Sequence, residues 1–219
     1  MRARMWQILW IAVFAVAFAF VESSVVIYLR AIYYPDGFAF PLRVMGTHHL
    51  AVEVLRETAT LIMLTAAGAL AGRSLWERAG YAMVAFGVWD IFYYVWLLVL
   101  LGWPRSWSTP DVLFLIPYPW IGPVLAPVIV SVLLIGFGVV LVLLIARQYT
   151  FHPGALGWAL GAVGVAVVLF TFLGDTGASL HGKLPAPYRY EVLATGLLLC
   201  TAAFIVSWRR PLASMIAPR

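Results

Sequence analysis

Four carboxylates stand inside stretches apolar enough to cross a bilayer: Glu22, Glu53, Glu57 and Asp90. An ionisable group at membrane depth is costly and normally persists because it binds, relays or transports something, so chemistry is sought first at these four. His49 and Glu53 lie one helical turn apart and offer two donors on one face. With Glu22 and Asp90 arriving from two other helices they make a candidate ligand set for a divalent ion. Carboxylate plus imidazole suits Zn, Mn or Fe, and such a centre activates water or a substrate oxygen. Glu57, Asp90 and Tyr94 are the candidate acid–base groups, Tyr94 following Asp90 by one turn. The spacing His-x-x-x-Glu-x-x-x-Glu matches neither the Glu-x-x-His pair of di-iron bundles nor the His-Glu-x-x-His of zinc proteases.

Charge is the central physical problem. The four acids face one intramembrane cation, Arg56, which leaves about three negative charges uncancelled, and each unpaired buried carboxylate costs several kcal/mol. Protons, a metal ion, a cationic substrate or Arg30 folding back from its helix end each solve the problem, and each implies a different function. In the bland reading, Arg56 simply pairs with Glu53 or Glu57, Glu22 bonds to Ser23 or Ser24, Asp90 fixes helix register, and His48 and His49 are solvated.

The elements that must position these groups follow from composition. With 64% hydrophobic and 11% charged residues, and a mean hydropathy of +0.98, the chain is far more apolar than a soluble domain, about 25% of whose residues are charged. Six runs approach the roughly 20 apolar residues of a spanning helix, at about 5 to 29, 50 to 72, 80 to 102, 122 to 146, 155 to 173 and 192 to 208. Pro and Gly mark the gaps, and no soluble domain fits between the runs. The expectation is an all-α integral membrane protein, residues 1–219 forming one polytopic six-helix bundle. Arg2 and Arg4 before an apolar run, with Ala17-Phe18-Ala19, imitate a secretory signal, but the run continues through Leu29 and reads as an uncleaved first helix.

Orientation follows from the short-loop cations. An inside N-terminus puts Arg2, Arg4, Arg73, Arg78, Arg147, Arg209, Arg210 and Arg219 on the cytoplasmic side, against Arg30, Arg43, Arg105, Lys183 and Arg189 outside. This places both termini in the cytoplasm, of a bacterial cytoplasmic membrane, with the acidic site facing outward. The net charge of +5 then reflects topology and anionic lipid, not nucleic acid.

Helical geometry sharpens the convergence. His49, Glu53, Arg56, Glu57 and Thr60 fall within roughly a third of the second helix's circumference. Ala12, Ala15, Ala19 and Glu22 form a small-residue face that turns Glu22 into the bundle. Gly87, Asp90 and Tyr94 share one face of the third helix. Between helices three and four, Thr109 is expected to cap a short interfacial or re-entrant helix with Pro110 in its first position and Asp111 in its first turn, running on through Val112 to Ile116. Asp111 and Trp120 would then belong to a lid over the outer mouth. Asp175 and His181 are candidate contributors from the next outer loop.

Gly157, Gly161 and Gly164 offer a contact surface for a second copy or a membrane-complex partner, and Gly136-Phe137-Gly138 lets a helix approach helix four. One cysteine, Cys200, excludes an intrachain disulfide, and no phosphate loop or nucleophile elbow is present. Three functional readings compete: a metal-dependent membrane enzyme acting on a lipid or other apolar substrate, a proton-coupled transporter, and a non-catalytic subunit or assembly factor. One-sided polar clustering favours a pocket over a channel, and hence the first.

Overall fold

In a computed structural model, residues 2–43, 45–177 and 183–209 are described. Among them, six helices carry the fold: α1 (Arg2–Tyr33), α2 (Thr47–Ala71), α3 (Leu75–Leu101), α4 (Leu125–Ala146), α5 (Ala155–Leu173) and α6 (Tyr190–Val206). The first five are long and apolar enough to cross a membrane, whereas α6, at 17 residues, is apolar but shorter. Continuous Leu, Val, Ala and Phe runs form these helices, and local signals end them. Ser74 caps α3 by accepting the Glu77 N–H at 3.2 Å. Gly102 closes α3 in the left-handed conformation, φ 63°, which a side chain would oppose.

Helix α3 is the hub, packing on α1, α2 and α4, while α5 packs on α6. Small residues set the closest crossings. A Cβ at Gly138 would meet the Gly80 carbonyl at 2.4 Å, so α3 and α4 touch backbone to backbone there. Gly164 of α5 faces Gly196 and Cys200 of α6 in the same way, and Gly157 faces Ser207. The glycine face read from the sequence as an assembly surface is thus covered, at these two positions, by α6 of the same chain.

The segment between α3 and α4 is a β-hairpin, which corrects the helix expected from Pro110 to Ile116. Strand β1 (Pro110–Phe114) pairs antiparallel with β2 (Trp120–Pro123), with a register irregularity between Val112 and Phe114. So short a helix is marginal by itself, and Pro117 and Pro119 deny it extension. The run from 120 to 123 instead supplies a partner strand. Thr109 does not cap a helix; its carbonyl accepts Val124 N–H at 3.0 Å and extends the ladder. A second short pair, β3 (Thr150–Phe151) with β4 (Trp208–Arg209), joins the α4–α5 connection to the end of α6.

Candidate functional site

The end of the bundle where α1 finishes and α2 begins encloses a cavity of about 510 Å³. Its walls come from α1, α2, α3, the 34–45 connection and the hairpin. All four carboxylates singled out in the sequence line it, at 5–8% exposure, and Asp111 joins them at 2%.

Periodicity along α2 explains the convergence. Glu53, Glu57 and Thr60 recur at helical spacing and are its buried polar residues. Arg56, between them, reaches across to α1, where it contacts the Glu22 carboxylate. The same guanidinium donates from Nε and Nη2 to Glu53 Oε2 at 2.9 and 2.7 Å. Thr60 Oγ1 donates to Glu22 Oε2 at 3.0 Å. Glu22, Arg56, Glu53 and Thr60 therefore form one polar bridge between two helices that otherwise touch little. Ser23, expected as a partner of Glu22, instead bonds the carbonyls of Ala19 and Tyr93 at 2.8 and 3.1 Å.

A second ion pair closes the hairpin side. Arg30, at the end of α1, folds back and donates to Asp111 Oδ1 at 3.2 Å. Its guanidinium lies 3.8 Å from the Trp103 ring centroid and 4.5 Å from that of Phe38, so aromatic faces share the buried charge. Burial pushes the Asp111 carboxyl up to about 6, against the pull of Arg30, the Val112 N–H and the Tyr94 hydroxyl. Asp111 is thus a wall of the cavity rather than part of a lid above it. Trp120 does not line the cavity; it stacks on Phe172 at 6.0 Å and packs on Phe114, anchoring the hairpin to α5.

The other two acids have no ion-pair partner among the described residues. Glu57 Oε2 accepts the Leu115 N–H of the hairpin at 2.8 Å, and Asp90 Oδ2 accepts from Ser131 Oγ of α4 at 2.8 Å. The Glu57 bond has a structural logic, because it supplies a partner for an amide just past the end of β1. Tyr94, expected beside Asp90, is buried with its hydroxyl beside Asp111. Trp89, Tyr93 and Phe114 complete the inner wall.

His49 stands apart. It is exposed in the first turn of α2, where its ring shares a hydrogen bond with the Tyr33 hydroxyl, and it does not line the cavity. Among the described residues no three of His, Cys, Asp and Glu are grouped as ligands for one ion, so the expected set Glu22, His49, Glu53 and Asp90 is not assembled. Asp175 does not join the acids either: it accepts the Ala186 N–H at 3.0 Å beside a separate cavity of about 460 Å³. His181 lies outside the described residues.

Below the polar bridge the interior is apolar and closely packed. Ala15, Ala19, Leu64, Tyr81, Val84 and Ala85, all at most 2% exposed, fill the space between α1, α2 and α3. The far end holds a polar knot that sequence reasoning passed over. Glu77, 3% exposed, pairs with Arg4 at 2.6 Å and accepts the Arg73 N–H at 2.9 Å. Beside it Tyr81 donates to Gln7 Oε1 at 2.9 Å. The signal was available, since Ser74-x-x-Glu77 opening an apolar run is a helix-start pattern that draws the acid inward.

Fold and site together define a multi-helix apolar architecture compatible with a membrane protein, with acids gathered at one end of it. The chain matches no protein family, no curated protein and no solved structure.

Proposed function

We propose that this chain is a membrane enzyme that takes an amphiphilic molecule into a single-ended pocket and acts on its polar end by carboxylate acid–base chemistry. The carrying observation is the pairing of a cavity walled by five nearly buried carboxylates with an apolar, packed floor beneath it. A transporter needs a polar route onward, and the layer from Ala15 to Ala85 offers none. An enzyme pocket needs to hold its contents, and the floor does that. A volume of about 510 Å³ falls within the roughly 300–1,000 Å³ of small-molecule sites.

Val26 and Leu29 of α1 and Leu50 and Val54 of α2 line the cavity between two helices that touch little. This apolar cleft suits a hydrocarbon tail arriving sideways from lipid, with the polar end carried inward. Glu57 and Asp90 are the acid–base pair of the proposal, because Glu22, Glu53 and Asp111 are engaged by arginines. Ser131 and the Leu115 amide each bond one carboxylate oxygen, and both side chains line the pocket. The excess of Arg at the opposite end supports a pocket that opens on the outer side of the membrane.

The test is to purify the chain from its membrane in mild detergent and identify what it retains by mass spectrometry. Wild type should carry about one bound amphiphile, and Val54→Trp, which fills the cleft, should lose it. Equal lipid retention by both would end the reading. With the amphiphile identified, Glu57→Gln and Asp90→Asn should each slow turnover by roughly 10²–10⁴-fold.

A further inference from the structure

The pocket's charge specifies what it takes. Five carboxylates line it, against two inner guanidiniums, Arg30 and Arg56, and even with Arg43 counted at the exposed mouth the acids remain in excess. Both inner guanidiniums are already neutralised, Arg30 by Asp111 and Arg56 by Glu22 and Glu53. The surplus therefore resides on Glu57 and Asp90, whose protein partners are one amide and one hydroxyl. Each is 8% exposed, and Glu57 Oε1 and Asp90 Oδ1 have no hydrogen-bond or ion-pair partner among the described residues. A buried carboxylate oxygen left open in a cavity is an acceptor waiting for a donor, and an anionic ligand would meet repulsion there.

The surrounding wall favours one kind of donor. Trp89 and Tyr93 stack with centroids 6.4 Å apart, and Phe114 packs against Trp89 at 6.2 Å. All three line the cavity together with Glu57 and Asp90. Aromatic faces beside carboxylates are the surroundings in which an alkylammonium is held, its charge attracted by the rings and its N–H groups by the oxygens. Arg30 shows the same solution elsewhere in the molecule, seated between Phe38 and Trp103 with Asp111 at its edge.

We infer that the polar end of the amphiphile is an ammonium group, held by Glu57 and Asp90 against Trp89, Tyr93 and Phe114, with its hydrocarbon tail in the cleft between α1 and α2. This rests on the pocket reading above and names the substrate class within it.

The test uses the purified full chain in detergent and follows tryptophan fluorescence during titration with dodecylamine, dodecanol, dodecanoate and butylamine. Dodecylamine is expected to bind saturably and about tenfold more tightly than dodecanol, with dodecanoate weakest. Asp90→Asn and Glu57→Gln should each lower dodecylamine affinity more than dodecanol affinity and so shrink that preference. Because the head-group comparison is made on wild type, it stands even where a variant fails to fold. Equal affinity for the three dodecyl compounds would overturn the ammonium assignment and leave the amphiphile pocket standing. Butylamine binding as tightly as dodecylamine would keep the ammonium site but overturn its supply from lipid. If none of the four binds saturably, both proposals fall.

Discussion

The guanidinium of Arg30 bonds to Asp111 across 81 positions of sequence, at 3.2 Å, and fastens the end of α1 to the first strand of the hairpin. Both side chains are at most 10% exposed, so neither charge has water to fall back on. Removing one partner leaves the other buried and alone. Asp111→Ala should therefore lower stability by about 3 kcal/mol. Arg30→Ala in the same chain should recover part of that loss. Thermal unfolding of the single and double variants in detergent checks this, and strictly additive losses would contradict it.

Asp111 also sets a pH dependence. Its carboxyl rises from the ordinary 3.8 to about 6 in the folded chain, with burial as the first cause. Between those values the folded state binds more protons than the unfolded one, so stability falls as pH rises. The contribution is complete below 3.8 and gone once pH has passed through about 6. The unfolding midpoint of wild type, measured against that of Asp111→Asn, should decline across this window. Parallel profiles for the two proteins would show that Asp111 is not the group responsible.

The polar knot at the far end is a stability element separate from the cavity. Glu77→Gln removes the charge that faces Arg4 and weakens the bond to the Arg73 amide, at an expected cost of about 1–3 kcal/mol. Ligand retention by the pocket should be unaffected. Loss of retention in this variant at a temperature where it remains folded would couple the two ends and count against a closed floor.

Backbone contact between α3 and α4 gives a steric prediction. A methyl at Gly138 would sit 2.4 Å from the Gly80 carbonyl, and backbone does not yield as a flexible side chain does. Gly138→Ala should cost about 1–3 kcal/mol through displaced helices. Gly136→Ala, where a Cβ meets nothing within 4 Å, should cost nothing and gain a little from helix propensity. A comparison of the two unfolding temperatures decides the matter.

How much of this was legible in the sequence depends on which physics ruled each residue. Glu53, Arg56 and Thr60 were readable because helical period alone brings them to one face of α2, Glu22 because the small-residue face of α1 carries it inward, and a run of more than twenty apolar residues has little choice but helix. Asp90 was placed correctly toward a neighbour for the same reason, although its partner, Ser131 on α4, required knowing which helix packs there. His49 followed the same periodicity and still fell outside, because it lies in the first turn of α2, where Tyr33 at the end of α1 engages it. Asp111 was misassigned with its element: propensity favoured a capped helix, and the partner strand ten residues onward decided otherwise. Trp120 was drawn to the site with the expected short helix and Asp175 by membrane sidedness, and sidedness does not say which loops meet.

The oxygen atom that seats the hairpin belongs to a side chain that also lines the cavity: Glu57 holds the Leu115 amide at 2.8 Å. An occupant that bonds this carboxylate would draw charge away from the amide bond, so the proposed ligand and the hairpin's grip would share a single carboxylate.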